Sequence, residues 1–258
     1  MTTLEEYTDE EFSDSLQTIQ RELLIASNPR MPDRPQAYLL GGQSGAGKTT
    51  LHKLLARWLE EGAVIINGDS FRKYHPRFCE LQDKYGDRSV GYTAPWSGRM
   101  TEALVDAFSS IGYNLVIEGT LRTSEVPLST AERLHRRSYA VSLALMAVKP
   151  EISLISCRIR YQQMRLAGTI PRAVDPRYHR RIVDQIVENL AVLEDSGRFD
   201  SIQLFDRSWK CLFPQEGDDR KASEVLEQAI FGPWTEEEKM HYGALRAKLD
   251  YLESEASR

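Results

Sequence analysis

Apolar and polar positions along the chain change period several times, and each change marks an element. Near the start, Phe12, Leu16, Ile19 and Leu23 recur at i, i+4, i+7 and i+11, one face of an amphipathic helix that Ser27, Asn28 and Pro29 should stop. The stretch "PRMPDRP" at 29–35 has three prolines and reads as a linker. The period then shortens. "AYLLG" (37–41), "AVIIN" (63–67), "YNLVIEGTLR" (113–122), "YAVSLALMAV" (139–148) and "SIQLFD" (201–206) are short apolar runs, the pattern of buried strands. Helical patterns are expected between them: up to Trp58 with Gly62 as stop signal, over 97–111 and 126–137, from Pro150 to about Leu166, and from about Arg177 to Leu193. Residues 72–97 keep no period and are rich in polar and aromatic types, which reads as a substrate-side loop with a short helix. From 214 onward the chain reads as helical and highly charged.

Strands that alternate with helices predict an α/β fold with a largely parallel sheet flanked by helices. Ligands gather at the carboxyl ends of such strands, so polar motifs should follow them. They do, at 42–49 after the first run, at Gly68 and Asp69 after the second, and at 118–122 after the third.

Composition narrows the classes. With 258 residues, 41% of them hydrophobic, the chain can bury one sizeable core with appendages. A formal net charge of −5 argues against a dedicated nucleic-acid binder, which carries a basic surplus. Cys79, Cys157 and Cys211 are widely spaced and odd in number, the usage of free thiols in a reducing compartment. The first residues are acidic (Glu5, Glu6, Asp9, Glu10, Glu11), unlike a secretion signal, and no apolar run approaches the ~20 residues of a membrane span. A cytoplasmic protein with no membrane or nucleic-acid partner is expected.

Gly42, Gln43, Ser44, Gly45, Ala46, Gly47, Lys48 and Thr49 match G-x-x-x-x-G-K-[ST] in full, between a strand and a helix, with Thr50 following. The glycines let backbone N–H groups turn inward around an anion, and the helix N-terminus adds partial positive charge. Lys48 is placed to reach the β- and γ-phosphates, and the Thr49 hydroxyl to take a position on Mg²⁺. A triphosphate such as ATP or GTP is therefore expected here. No Asn/Thr-Lys-x-Asp base-reading motif of switch GTPases is present.

A phosphotransferase acting on an alcohol also needs a carboxylate to take the hydroxyl proton and cations to hold the migrating charge. Asp69, in a turn after a buried strand, is the candidate base; an N-capping turn residue fits the same spacing. Glu118 ends "NLVIE", where a carboxylate can serve Mg²⁺ through water or acceptor hydroxyls. Residues 158–181 hold Arg158, Arg160, Arg165, Arg172, Arg177, Arg180 and Arg181 against one acid, Asp175, and Gly168 and Pro171 interrupt the run. Such a run is commonly a solvated face. Broken in this way, it is also the pattern of a helical lid whose arginines stabilise transition-state charge, and charge alone does not say which.

With these residues assembled, "LLGGQSGAGKTT", "IINGDSFRKYHP", "RMTEAL", "GYNLVIEGTLRT" and "IRYQQ" resemble the signatures of the zeta-toxin family of kinases, in that family's order, over about residues 36–213. The resemblance implies a P-loop kinase core over 36–213, between an N-terminal helix (1–30) and a helical C-terminal appendage (214–258). It implies transfer of phosphate from ATP or GTP, with Mg²⁺, to the 3′-hydroxyl of the sugar in UDP-N-acetylglucosamine, and a small antitoxin as partner. By the same resemblance Lys48 and Thr49 hold phosphate and metal, Asp69 is the base, and Glu102, Glu118, Thr120 and Arg122 bind the acceptor. Arg160 and Arg172 match two phosphate-clamping arginines. Two rivals remain on the residues alone. One is another small-molecule P-loop kinase, such as an antibiotic 3-O-phosphotransferase; the other is a nucleotide-regulated binding protein with no catalysis, for which Asp69 would be dispensable.

Overall fold

The computed structural model describes residues 3–59, 61–217 and 219–256. In chain order the elements are α1 (Asp9–Ser27), β1 (Gln36–Gly41), α2 (Lys48–Trp58), β2 (Val64–Asn67), α3 (Gly68–Phe71), α4 (Phe78–Tyr85), α5 (Ser89–Tyr92), α6 (Ala94–Ile111), β3 (Leu115–Glu118), α7 (Glu125–His135), β4 (Ala140–Met146), α8 (Pro150–Leu166), α9 (Pro176–Asp195), β5 (Ser201–Phe205), β6 (Cys211–Phe213), α10 (Ala222–Phe231) and α11 (Glu236–Glu255). The fold is α/β with a mostly parallel sheet. Contacts divide it into two compact units.

The first unit comprises the chain up to Leu39, His52–Gly119 and Arg133–Ala140. Its strands run in the order β2-β3-β1, and β2 lies parallel to β3 with Val64 opposite Leu115 and Asn67 opposite Glu118. That register brings two polar residues side by side at the carboxyl ends of the strands. The strand interiors are apolar because both faces are covered: Val64, Ile66, Leu115, Val116 and Ile117 are all buried. Helix α6 buries Trp96, Met100, Leu104 and Phe108 on one stripe. Helix α1 starts at a capping box, in which the Thr8 hydroxyl accepts the Glu11 N–H at 3.1 Å and the Glu11 carboxylate accepts the Thr8 N–H at 2.8 Å. It ends at Asn28, whose φ of 41° is left-handed.

Residues 72–97, expected as largely irregular, are instead a chain of short helices leading into α6, which starts at Ala94 rather than 97. Helix α4 has few turns and one fully buried apolar residue, Leu81, so no periodic stripe develops for a sequence reading to find. His75 is buried here against Trp96 and Tyr7, with ring centroids 5.1 and 5.8 Å away, and burial lowers its pKa. Its Nε2 also stands 3.3 Å from the Glu5 carbonyl, so this ring ties the chain before α1 to α6.

The second unit comprises Leu40–Leu51, Thr120–Glu132 and the chain from Val141 onward. Its strands run β4-β5-β6; β4 and β5 are parallel, with Ser142 opposite Ser201, while β6 returns antiparallel to β5. Helix α9 buries Ile182, Val183, Ile186, Leu190 and Leu193. Against it and β5 packs α10, through Val225, Leu226 and Ile230. Helix α11 lies on α8, where Leu249 meets Ile155 and Ile159 with Tyr242, Leu245 and Leu252 around them. The third predicted strand is shorter than its apolar run: it stops at Glu118 because the chain leaves the sheet, Leu121 turning to φ 56° with its carbonyl accepting the Asn189 amide at 3.0 Å. No helix among the described residues is long and apolar enough to cross a membrane.

Candidate functional site

The phosphate cradle lies in the second unit, between β1 and α2. Gly42, Gly45 and Gly47 have φ of 130°, 81° and 107°, values that L-residues with a side chain rarely adopt. At Gly45 sterics add to this, since a Cβ would sit 2.0 Å from the Ser153 carbonyl oxygen and 2.7 Å from Cys157 Sγ. The loop is thus built flush against α8. The buried Gln43 side chain ties it to the end of β4, its amide donating to the Val148 carbonyl at 2.7 Å. Lys48 is buried, and its ammonium donates to the Gly42 and Gln43 carbonyls at 2.6 and 3.1 Å. Thr49 and Thr50 stand exposed in the first turn of α2. Among the described residues no three His, Cys, Asp or Glu side chains gather as a metal site. Magnesium in a cradle of this kind needs no such cluster, since one hydroxyl and phosphate oxygens supply its ligands; the exposed Thr49 fits that donor set.

Of the seven arginines in 158–181, the structure assigns four to ordinary surface contacts. Arg158 pairs with Glu253 at 2.8 Å, Arg177 with Asp175 at 3.4 Å and Arg180 with Asp184 at 2.9 Å, while Arg165 donates to the Ala256 carbonyl at 3.3 Å. Arg160 is different: it is half-buried on α8, and its Nε is enclosed with no hydrogen-bond partner among the described residues. Arg172 is exposed in the non-helical stretch between α8 and α9. Thr120 and Arg122 follow β3 in this unit, and Arg122 donates to the Tyr178 hydroxyl of α9 at 3.3 Å.

One cation by the cradle was not foreseen. Arg207, just past β5, donates from Nη1 to the Gly45 carbonyl and from Nη2 to Ser156 Oγ at 3.1 Å. Burial lowers its pKa. Its signal in the sequence was the position alone, two residues past a strand that ends in Phe205. Nearby, Cys157 is buried under Gly45, and the loss of solvation raises its thiol pKa more than Arg160, Lys48 and Arg207 together lower it. His179 of α9 lies 2.8 Å from Ser153 Oγ, closing α9 onto α8 behind the cradle; burial, and then Lys48, lower its pKa.

The acceptor-side carboxylates lie in the first unit. Asp69 opens α3 immediately after β2, its side chain 59% exposed, and the Arg72 Nε donates to its Oδ1 at 3.0 Å. Arg72 is itself anchored by the Val90 carbonyl at 2.7 Å and the Thr93 hydroxyl at 3.1 Å. Gly68 makes the turn possible: a Cβ there would lie 2.9 Å from both the Ser97 and Thr101 hydroxyls of α6, and the Ser97 hydroxyl donates to its carbonyl at 2.7 Å. Glu102, the next residue on α6 after Thr101, is exposed. Glu118 at the end of β3 is only 13% exposed; Asn67 donates to its Oε2 at 2.7 Å, and His52 Nδ1 stands 3.2 Å from the same oxygen. Asp69 is thus an exposed carboxylate steadied by one arginine, and the residue that caps α3 is not Asp69 but Asn67, whose Oδ1 accepts the Asp69 N–H at 3.1 Å.

A strand-loop-helix phosphate cradle on a mostly parallel α/β sheet, with an arginine-bearing helix against it, defines a nucleotide-binding protein with the fold of P-loop kinases. The zeta toxin family model matches residues 21–218. Toxin PezT of Streptococcus pneumoniae is 42% identical over 237 residues, covering 92% of this chain and 93% of that protein. A toxin zeta of Streptococcus agalactiae is 36% identical over 209 residues, covering 80% of this chain and 72% of that one. A solved structure of the PezAT chromosomal toxin–antitoxin system of Streptococcus pneumoniae superposes with a TM-score of 0.87 at 40% identity, over 97% of this chain and 99% of that one. The chain belongs to the zeta toxin family.

Proposed function

We propose that the chain is a kinase that moves the γ-phosphate of ATP or GTP to the 3′-hydroxyl of the sugar in UDP-N-acetylglucosamine, and that it acts as the toxin of a toxin–antitoxin pair. The observation that carries the phosphotransfer reading is Asp69: an exposed carboxylate directly after a parallel strand, fixed by an anchored arginine, in a chain that also carries a complete phosphate cradle. The nucleotide sugar and the antitoxin rest on the family, one of whose members was characterised as part of a toxin–antitoxin system.

In this mechanism Asp69 accepts the proton of the sugar hydroxyl as its oxygen bonds to the γ-phosphorus and the β–γ bridging oxygen leaves with the diphosphate. Glu102, Glu118, Thr120 and Arg122 orient the acceptor. The backbone N–H groups of 43–48 and the Lys48 ammonium, released from the Gly42 and Gln43 carbonyls, hold the phosphates. Arg160 and Arg172 take the charge that spreads over the migrating group. Thr49 would hold Mg²⁺, which neutralises phosphate charge when bound.

The test is incubation with ATP or GTP, Mg²⁺ and a panel of nucleotide sugars, read by mass spectrometry. One added phosphate on UDP-N-acetylglucosamine is expected. A chain that binds the nucleotide yet phosphorylates no member of the panel would refute the acceptor. Expression of the chain alone should arrest growth, and Lys48→Ala should abolish the arrest.

A further inference from the structure

Asn67 ends β2 opposite Glu118, the last residue of β3, and precedes Asp69 by two positions. Its side-chain amide makes one bond to each carboxylate-bearing residue. Nδ2 donates to Glu118 Oε2 at 2.7 Å, and Oδ1 accepts the backbone N–H of Asp69 at 3.1 Å. The amide cannot be turned around, because a carboxylate oxygen accepts and a backbone N–H donates. His52, on α2 and 8% exposed, gives a second polar contact to the same Oε2 at 3.2 Å. With a carboxylate as partner, Nδ1 must carry the proton. Both contacts reach Oε2, which among the described residues leaves Oε1 as the oxygen for a ligand.

We infer that Asn67 and His52 are positioning residues of the acceptor site. Asn67 sets the spacing between the base and Glu118, and His52 fixes which oxygen Glu118 presents. The inference rests on the acceptor-side reading of Asp69 and Glu118 given above. Neither residue touches the acceptor. Their effect passes through Glu118, whose side chain has several rotatable bonds and would otherwise sample several rotamers in a shielded position.

Asn67→Asp separates this role from mere structure. It keeps the oxygen that accepts the Asp69 N–H, so the start of α3 survives, but it sets a second carboxylate against Glu118 in place of a donor. The expected kcat is lower by about 10- to 100-fold, with the KM for ATP within about twofold of wild type. His52→Leu should also lower kcat, and His52→Asn, whose amide nitrogen can stand near the Nδ1 position, should restore most of it. In a Glu118→Ala background Asn67→Asp should add less than about threefold, because the partner it acts through is gone. Full multiplicative losses in that background, a kcat for Asn67→Asp within about twofold of wild type, or His52→Asn no better than His52→Leu would each overturn the inference. A readout free of turnover accompanies these. Nitrogen-15 NMR should show His52 as the Nδ1–H tautomer and a slowly exchanging Asn67 amide, both altered by Glu118→Ala. If those signatures are present and wild type phosphorylates nothing, the kinase reading fails and takes the acceptor-site role with it, while the hold of Asn67 and His52 on Glu118 stands. If wild type is active and the signatures are missing, the positioning fails.

Discussion

Replacing Gly45 with Ala tests how the cradle is built. Two separate costs follow from the structure. The residue sits at φ 81°, where a side chain costs about 1–2 kcal/mol. The new Cβ would also fall 2.0 Å from the Ser153 carbonyl oxygen and 2.7 Å from Cys157 Sγ. The first contact is to helix backbone, which cannot rotate away, so the loop or α8 must shift, at the typical overpacking cost of about 1–3 kcal/mol. Gly168 supplies the control: its φ is 65°, yet nothing lies within 4 Å of its Cβ position. Gly168→Ala should incur the conformational cost alone. For a chain of this size each kcal/mol moves the melting temperature by about 2–4 °C, so Gly45→Ala should melt about 2–12 °C below Gly168→Ala. Thermal unfolding by circular dichroism measures the difference, and titration calorimetry with ATP should show binding weakened only in Gly45→Ala. Equal melting temperatures would refute the claim that the cradle is seated flush on α8.

Three further outcomes are expected. Asp69→Asn should keep ATP binding and lose phosphoryl transfer by about 100-fold or more, measured by initial rates; unchanged turnover would remove Asp69 as the base. Arg160→Ala should slow transfer by about a thousandfold with much smaller change in the ATP dissociation constant, whereas Arg158→Ala, which breaks only the exposed pair with Glu253, should leave both close to wild type. Stability should fall as pH drops below about 6.5, because burial lowers the pKa of both His75 and His179 in the folded chain and the unfolded chain therefore binds more protons in that window. Melting temperatures between pH 7.5 and 5.5 follow this, and His179→Gln should flatten the slope; an unchanged slope would show that His179 is not buried neutral.

The parts legible in the sequence are those whose signal is local. The parallel strands read clearly because both faces are covered, so "AVIIN" and "NLVIE" are unbroken apolar runs. The cradle was legible because the backbone positions that require glycine, Gly42, Gly45 and Gly47, fall within one short stretch of chain. Strand β6 was not, being three half-buried residues paired antiparallel at an edge, too short for any period to show. The arginine run shows the limit most plainly. Composition offered seven equivalent cations, and what separates Arg158 from Arg160 is Glu253, supplied from 95 residues away by α11.

Asn67 poses the same problem more sharply. In "IINGDS" it reads as a turn former beside a glycine, and it does cap α3 through its Oδ1. Its second bond goes to Glu118, 51 residues on, and exists only because β2 and β3 pair in a register that sets the two residues opposite one another. A shift of one residue in that register would turn Glu118 to the other face of the sheet and leave the amide without a carboxylate. The pairing of Val64 with Leu115 and of Ile66 with Ile117 therefore sets the distance between two polar groups that no local pattern connects.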